Sequence, residues 1–319
     1  MSKNKKYDLV KIIDRAVIKE HSEIKNFPTY FILAGIFFTI WAIFYLISVN
    51  HHLYIIIISA FILSGLQHHL IILMHEGAHG LLHRDRKWNY FFGQTFCAFP
   101  FFMNLKDYQY IHLTHHQYSG DPQNDPEVEI YNHVPIGYGH LKNKVFKTIL
   151  GDITLTTSLK TMLKLTLVVV RNIKEKKVRS TNFSDLSCGI FGLILLFLPS
   201  LYFNNFLEAI LLWFITYFIF TATFVRWHGI GEHTGINAEL EQDKTLTHRY
   251  SFFVNFFLYP INSGLHLEHH LFPRIPWYQM QSFRKKLMQI QEYKNESEKC
   301  SVDTFWFGNK SVRNLVLNK

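Results

Sequence analysis

Three short runs of histidine carry the most chemistry in this 319-residue chain, which has 19 histidines in all. His75 and His79 in HEGAH are four apart, and on a helix that spacing puts both imidazoles on one face, one turn from each other. His112, His115 and His116 in HLTHH, and His266, His269 and His270 in HLEHH, each supply the i, i+3, i+4 set of one helical face. Imidazole suits iron, copper, zinc and nickel, and eight or more such ligands are too many for one ion, so two metals are expected. Iron is the natural reading, because zinc offers no redox change and hydrolysis needs no all-nitrogen site of this size.

These runs must be brought together by elements that the charge pattern reveals. No lysine or arginine occurs between Lys25 and Arg84, and the only acid there is Glu76. Between Arg179 and Arg226 there is again no base, and after Asp185 the only acid is Glu208. A membrane-spanning helix takes roughly 20 apolar residues, and each stretch holds about twice that, divided by a short polar break. The breaks, Ser48 to His52 and Phe203 to Leu207, carry no positive charge. The expected fold is therefore an all-α integral membrane protein with four transmembrane helices in two hairpins, near 28–48, 53–74, 186–206 and 207–227.

Basic residues gather outside these spans, at Lys3, Lys5, Lys6, Lys11, Arg15, Lys19 and Lys25 and in the run Lys174 to Arg179. The positive-inside tendency turns those segments, both termini and all three histidine runs to the cytoplasmic face. Topology and anionic lipid account for the net charge of +9, and no nucleic-acid motif accompanies it. Cys97, Cys188 and Cys300 are few, odd in number and without CxxC spacing, which argues against a cysteine metal site and a disulfide framework. No removable signal peptide is expected.

One domain spans 1–319: a cytosolic N-terminus (1–27), the first hairpin (28–74), a cytosolic segment with two histidine runs (75–185), the second hairpin (186–227) and a cytosolic C-terminal segment (228–319). Phe91 to Met103 is aromatic, uncharged and too short to cross, so an interfacial or re-entrant piece is expected. Asp121 to Asn143 reads as loop, and Lys147 to Val170 as a helix lying on the membrane surface.

HEGAH, HLTHH and HLEHH, in this order beside two hairpins, resemble the three histidine boxes of the membrane fatty acid desaturase superfamily over roughly His68 to Trp277. The resemblance implies a four-span fold whose cytosolic helical cap holds two irons and activates dioxygen, the co-substrate, against a C–H bond. It also implies one more histidine after the last span. RWHGIGEHTG offers His228 and His233, and His233 is favoured because EHTG is similar to the EHxG stretch of the alkane hydroxylase branch. Some desaturases carry an asparagine four residues before that histidine; here the position is Gly229, while Asn262 stands four before His266.

The expected metal ligands are thus His75, His79, His112, His115, His116, His233, His266, His269 and His270. Glu76, Asp121, Asp125 and Glu268 are candidates to accept from ligand imidazoles and orient them, with helix salt bridges and turn formation as the competing roles. His51 and His52 fall on the outer turn. His68 and His69 lie within a span, where they bond neighbouring helices or cap a cavity. His83, His133, His140 and His248 are expected to be solvated.

The expected reaction is desaturation of an aliphatic chain of a fatty acyl or related lipid, with hydroxylation or ketolation of an alkane, acyl chain or carotenoid as the alternative within the superfamily. A polytopic metal transporter is the alternative of another class, though transporters put polar groups at mid-span rather than at span ends. The chain has no dinucleotide fingerprint, no iron–sulfur cysteine pattern and no fused haem domain, so electrons come from a ferredoxin or cytochrome with its reductase.

Overall fold

The protein is described by a computed structural model covering residues 9–119, 121, 123–127, 150–151, 154–175, 177, 182–233, 245–248, 250–304 and 310–312. Within it four helices are long and apolar enough to cross a membrane: Asn26–Val49, Leu53–Ala78, Phe183–Tyr202 and Phe206–His233. Contacts group the chain into two units, one of residues 24–112 and 150–225, the other of 1–23, 113–149 and 226–319.

In the first unit, α2 (Asn26–Val49) and α3 (Leu53–Ala78) form the first hairpin. The second is built by α7 (Phe183–Tyr202) and by α8 (Phe206–Thr216), which runs on through a π turn (Tyr217–Thr221) into α9 (Ala222–His233). Both hairpins break where the sequence is polar. Asn204 takes a left-handed φ of 57°, a conformation asparagine tolerates, and Asn205 Nδ2 donates to the Phe44 carbonyl at 2.7 Å, tying the two hairpins together. Phe27, Phe31 and Phe38 on α2 stand fully outward, as lipid-facing side chains do.

The aromatic stretch is a run of short helical pieces: α4 (Arg86–Phe92) passes into a π turn (Gly93–Ala98) and a 3-10 turn (Phe99–Phe101), packed against α3 and α7. Gly192 on α7 allows that approach, since a Cβ there would meet the Thr95 carbonyl at 2.0 Å. Across the bundle, Gln67 donates to the Trp213 carbonyl (2.9 Å) and accepts from Thr221 (2.6 Å), which satisfies polar groups that lipid cannot. The amphipathic α6 (Thr156–Lys174) follows the segment 128–149, which lies outside the described residues along with most of the expected loop, His133, His140 and much of the Lys174 to Arg179 run.

The second unit has its own core. α1 (Arg15–His21) packs on α12 (Trp277–Leu287), and Ile13, Leu267, Leu271, Ile275, Phe283 and Tyr293 close the apolar centre. One feature departs from an all-α expectation: β1 (Thr247–His248) and β2 (Ser301–Val302) pair in parallel as a two-residue ladder. Against β1 lies the short helix α11 (His266–Leu271), which carries the third histidine run. A fully buried Glu268 anchors α11, accepting from Thr247 Oγ1 (2.7 Å), the Tyr293 hydroxyl (2.6 Å) and Arg284.

Candidate metal centre

The first unit places three imidazoles at the end of α3 and on α5 (Leu105–Tyr118), whose residues from Leu113 onward count with the other unit. His75 and His79 have ring centroids 4.9 Å apart, as the one-turn spacing dictates. His112 brings its ring to 4.3 Å from that of His75 and its Nε2 to 3.0 Å from His79 Nε2. Side chains at the ends of α3, α4 and α5 fix this placement. Gln109 donates to the Ala78 carbonyl at 2.6 Å, Asn89 donates to the Gly77 carbonyl at 2.9 Å, and Gln94 Oε1 accepts from the Leu105 N–H at 2.8 Å.

In the second unit His115, His233, His266 and His270 converge, with one nitrogen from each within 4.8 Å of the others. His233 and His266 bring their Nε2 atoms to 2.8 Å. Beside this quartet, His116 and His269 pair with Nε2 atoms 3.0 Å apart. All nine imidazoles expected as ligands therefore stand in one or other of these groups.

The donor set fits a bound metal. Facing imidazoles can share a proton only pairwise, whereas a cation placed among them accepts a lone pair from every ring. His270 Nε2 is buried and has no hydrogen-bond partner among the described residues, a loss that a coordinate bond would repair. Burial pushes the His270 pKa well below its ordinary value, which keeps the ring in the neutral, ligating form.

Carboxylates orient two of these rings. His115 donates its Nδ1–H to Asp125 at 3.0 Å and has Glu127 at 3.8 Å. Burial disfavours charge on this ring, yet Glu127 and Asp125 outweigh burial and lift its pKa to about 9, so a metal at Nε2 would take the place of the proton that these carboxylates stabilise. With Nδ1–H held by Asp125, Nε2 is the nitrogen left for a metal. His266 Nδ1 meets Glu232 at 2.8 Å in the same way.

Other expected residues have different surroundings. Glu76 is buried with its carboxylate 3.7 Å from His75 Nδ1, beyond hydrogen-bond range. Asp121 accepts from the Gln123 and Asn124 N–H groups, as a turn-forming aspartate does. Glu268 takes its bonds from Thr247, Tyr293 and Arg284, so it holds the ligand helix rather than an imidazole. His228 meets Glu232 at 2.6 Å and the Leu258 carbonyl at 2.7 Å, which occupies both its nitrogens. Asn262 is engaged as well, donating to the Trp277 carbonyl and accepting from Gln281.

Two expectations are corrected and one contributor is new. His83 and His248 are not solvated: His83 bonds to the Tyr30 hydroxyl (2.9 Å), and His248 bonds to the Gly231 carbonyl (3.0 Å) and stacks on Tyr259. His69 bonds to the Gly65 carbonyl on its own helix. Glu232, which bridges His228 and His266, is the contributor absent from the expected set, and its place directly before His233 in GIGEH is the signal that marks it.

Comparison with known proteins agrees with this geometry. The fatty acid desaturase family model matches residues 50–298. The chain is also similar to a dihydrorhizobitoxine desaturase of Bradyrhizobium elkanii, at 27% identity over 250 residues that cover 74% of this chain and 68% of that protein. The chain belongs to the fatty acid desaturase family, a family of oxidoreductases.

Proposed function

We propose that the protein is a di-iron, dioxygen-dependent oxidase that desaturates an aliphatic chain at the membrane, with its active site and both termini on the cytoplasmic side. The observation that carries this reading is the convergence of nine imidazoles into groups at span ends and beyond. One iron would be held by His115, His233, His266 and His270. His75, His79 and His112 would contribute to the other, and His116 and His269 complete the expected ligand set. Bound there, the two irons would supply the oxidising chemistry that removes hydrogen from an unactivated methylene.

The residues of the chain prepare that chemistry in three ways. Asp125 and Glu232 hold Nδ1–H protons of His115 and His266, which fixes each ring's orientation and tautomer. The Glu268, Arg284 and Tyr293 cluster keeps α11 in place under its three histidines. Phe99, Phe101 and Phe102 offer apolar walls on which a hydrocarbon chain can lie without water. Electrons come from an external ferredoxin or cytochrome, for which no site is encoded in a recognisable motif.

The test is iron content together with product analysis. Detergent-purified protein carrying about two irons per chain, with lipids of expressing cells lighter by two hydrogens, supports the proposal. Products heavier by one oxygen move the chain to hydroxylation, and zinc in place of iron overturns the oxidase reading.

A further inference from the structure

A cavity of about 380 Å³ in the first unit opens between α5, α6 and the aromatic segment 93–102. It lies beside a metal-ligand candidate, because Tyr108 in its wall stacks on His112 with ring planes 5° apart. Its walls are mostly aromatic and aliphatic, and no lysine, arginine or histidine is among the described residues that line it.

Two polar groups in that wall are unsatisfied. Asp107 is 7% exposed, and its Oδ1 has no hydrogen-bond partner among the described residues. Gln94 is fully buried; its Oε1 accepts from Leu105, but its Nε2 donates to nothing described. Buried polar atoms normally find partners, so an orphaned acceptor and an orphaned donor lining one cavity call for a ligand that supplies the complements. Nearby cations do not fill the need. Lys106 is 3.2 Å from Asp185 and lies over the Tyr90 ring, and Asn104 also donates to Asp185.

We propose that this cavity seats the polar end of the substrate, and that the substrate is an aliphatic chain bearing a protonated amine beside an oxygen acceptor, with the amine on Asp107 and the oxygen on Gln94. The inference rests on the desaturase reading above and narrows its substrate class. An ammonium group supplies both the missing donor and the missing counter-charge, whereas an alcohol supplies only the donor and a carboxylate repels Asp107. Burial, with Asp185 nearby, pushes the Asp107 pKa up to about 6, and at pH 7.5 the group is still ionised for an amine to meet.

Calorimetric titration of the detergent-purified full chain with octylamine, octan-1-ol, octanoate and 2-aminooctan-1-ol at pH 7.5 tests the proposal. Octylamine is expected to bind at least about tenfold tighter than octan-1-ol, the strength of one charge-assisted hydrogen bond, with octanoate weakest. Asp107→Asn is expected to abolish the preference, so that octylamine and octan-1-ol bind the variant about equally, and taking the ratio of the two ligands cancels partition into detergent. Octylamine no tighter than octan-1-ol in the wild-type chain, or an amine preference that survives Asp107→Asn, overturns the proposal, and the wild-type comparison holds whether or not the variant folds. The added hydroxyl of 2-aminooctan-1-ol is expected to tighten binding further, and equal affinity removes Gln94 from the site. A chain that binds iron and yields desaturated lipid without amine preference loses this inference alone. One that prefers the amine yet holds no iron loses the desaturase reading.

Discussion

The carboxylate of Glu232 stands 2.8 Å from His266 Nδ1, and the same oxygen is 2.6 Å from His228 Nε2. One buried acid thus fixes an imidazole of the quartet from behind while a second histidine steadies the acid. Partners of this kind govern ligand basicity as well as ring orientation, and losing one typically costs about 10–100-fold in metal affinity. Glu232→Ala is expected to lower iron retention by that order in chelator competition, with the helical content unchanged. Retention equal to wild type would make Glu232 a structural acid only.

Asp125 plays the corresponding part for His115, at 3.0 Å. Asp125→Asn keeps the shape and removes the charge. An amide can present its NH2 group to Nδ1, which then has to accept, and the proton moves to the nitrogen that a metal needs. Iron content of Asp125→Asn should therefore fall about 10-fold or more, and Asp125→Glu should restore part of it. The chain without this contact keeps Glu127 at 3.8 Å, so loss is expected to be partial rather than complete.

Much of this organisation is legible in the sequence, for physical reasons that also mark where legibility stops. Uncharged runs of twice the bilayer length with polar breaks at Ser48 to His52 and Phe203 to Leu207 fix two hairpins, because lipid tolerates no unpaired charge. Helix ends are another matter. α3 runs on to Ala78 and the last span to His233, since backbone hydrogen bonding does not stop where side chains turn polar. The histidine runs announce themselves by helical spacing. Glu232 does not, because its partner His266 is far away in sequence, and His248 misleads, because a lone histidine shows no period until β1 buries it beside Tyr259. Nothing in the residue order marks Asp107 and Gln94 as neighbours of one cavity.

Arg284 and Tyr293 hold Glu268 in a fully buried position, and Thr247 completes the set. Removing the cation leaves a buried charge uncompensated, whereas removing the phenol oxygen forfeits one hydrogen bond. Arg284→Ala is expected to destabilise the second unit by about 3–5 kcal/mol, and Tyr293→Phe by about 1 kcal/mol. Thermal melts in detergent will show the order. Equal effects from the two variants would refute the assignment of Arg284 as the principal counter-charge.

The close approach of α7 to the aromatic π turn depends on Gly192, whose missing Cβ would otherwise sit 2.0 Å from the Thr95 carbonyl. Backbone oxygen cannot be displaced without moving the π turn, and that turn carries Gln94, which in turn holds the start of α5. Gly192→Val should therefore lower the melting temperature and also loosen the His112 group. The readout is iron retention measured below the melt, where a purely local packing defect would leave it unchanged.

Asp107 gives the pH dependence its sign. Burial first, then Asp185, raises its folded-state pKa to about 6 from an ordinary carboxylate value. The folded chain therefore holds the proton more tightly than the unfolded chain does. Stability is highest below the unfolded pKa, falls as pH rises from there through the folded pKa of about 6, and stays at the lower level above it. At pH 7.5 the ionised, unpartnered group opposes folding by up to about 3 kcal/mol. Asp107→Asn should then raise the melting temperature at pH 7.5 and change it little at pH 4. A residue that weakens the fold at working pH while standing in a cavity wall is what a binding group looks like, and octylamine is expected to recover the lost stability in the wild-type chain but not in Asp107→Asn. A variant melting at or below the wild-type temperature at pH 7.5 would mean that Asp107 already has its partner inside the protein.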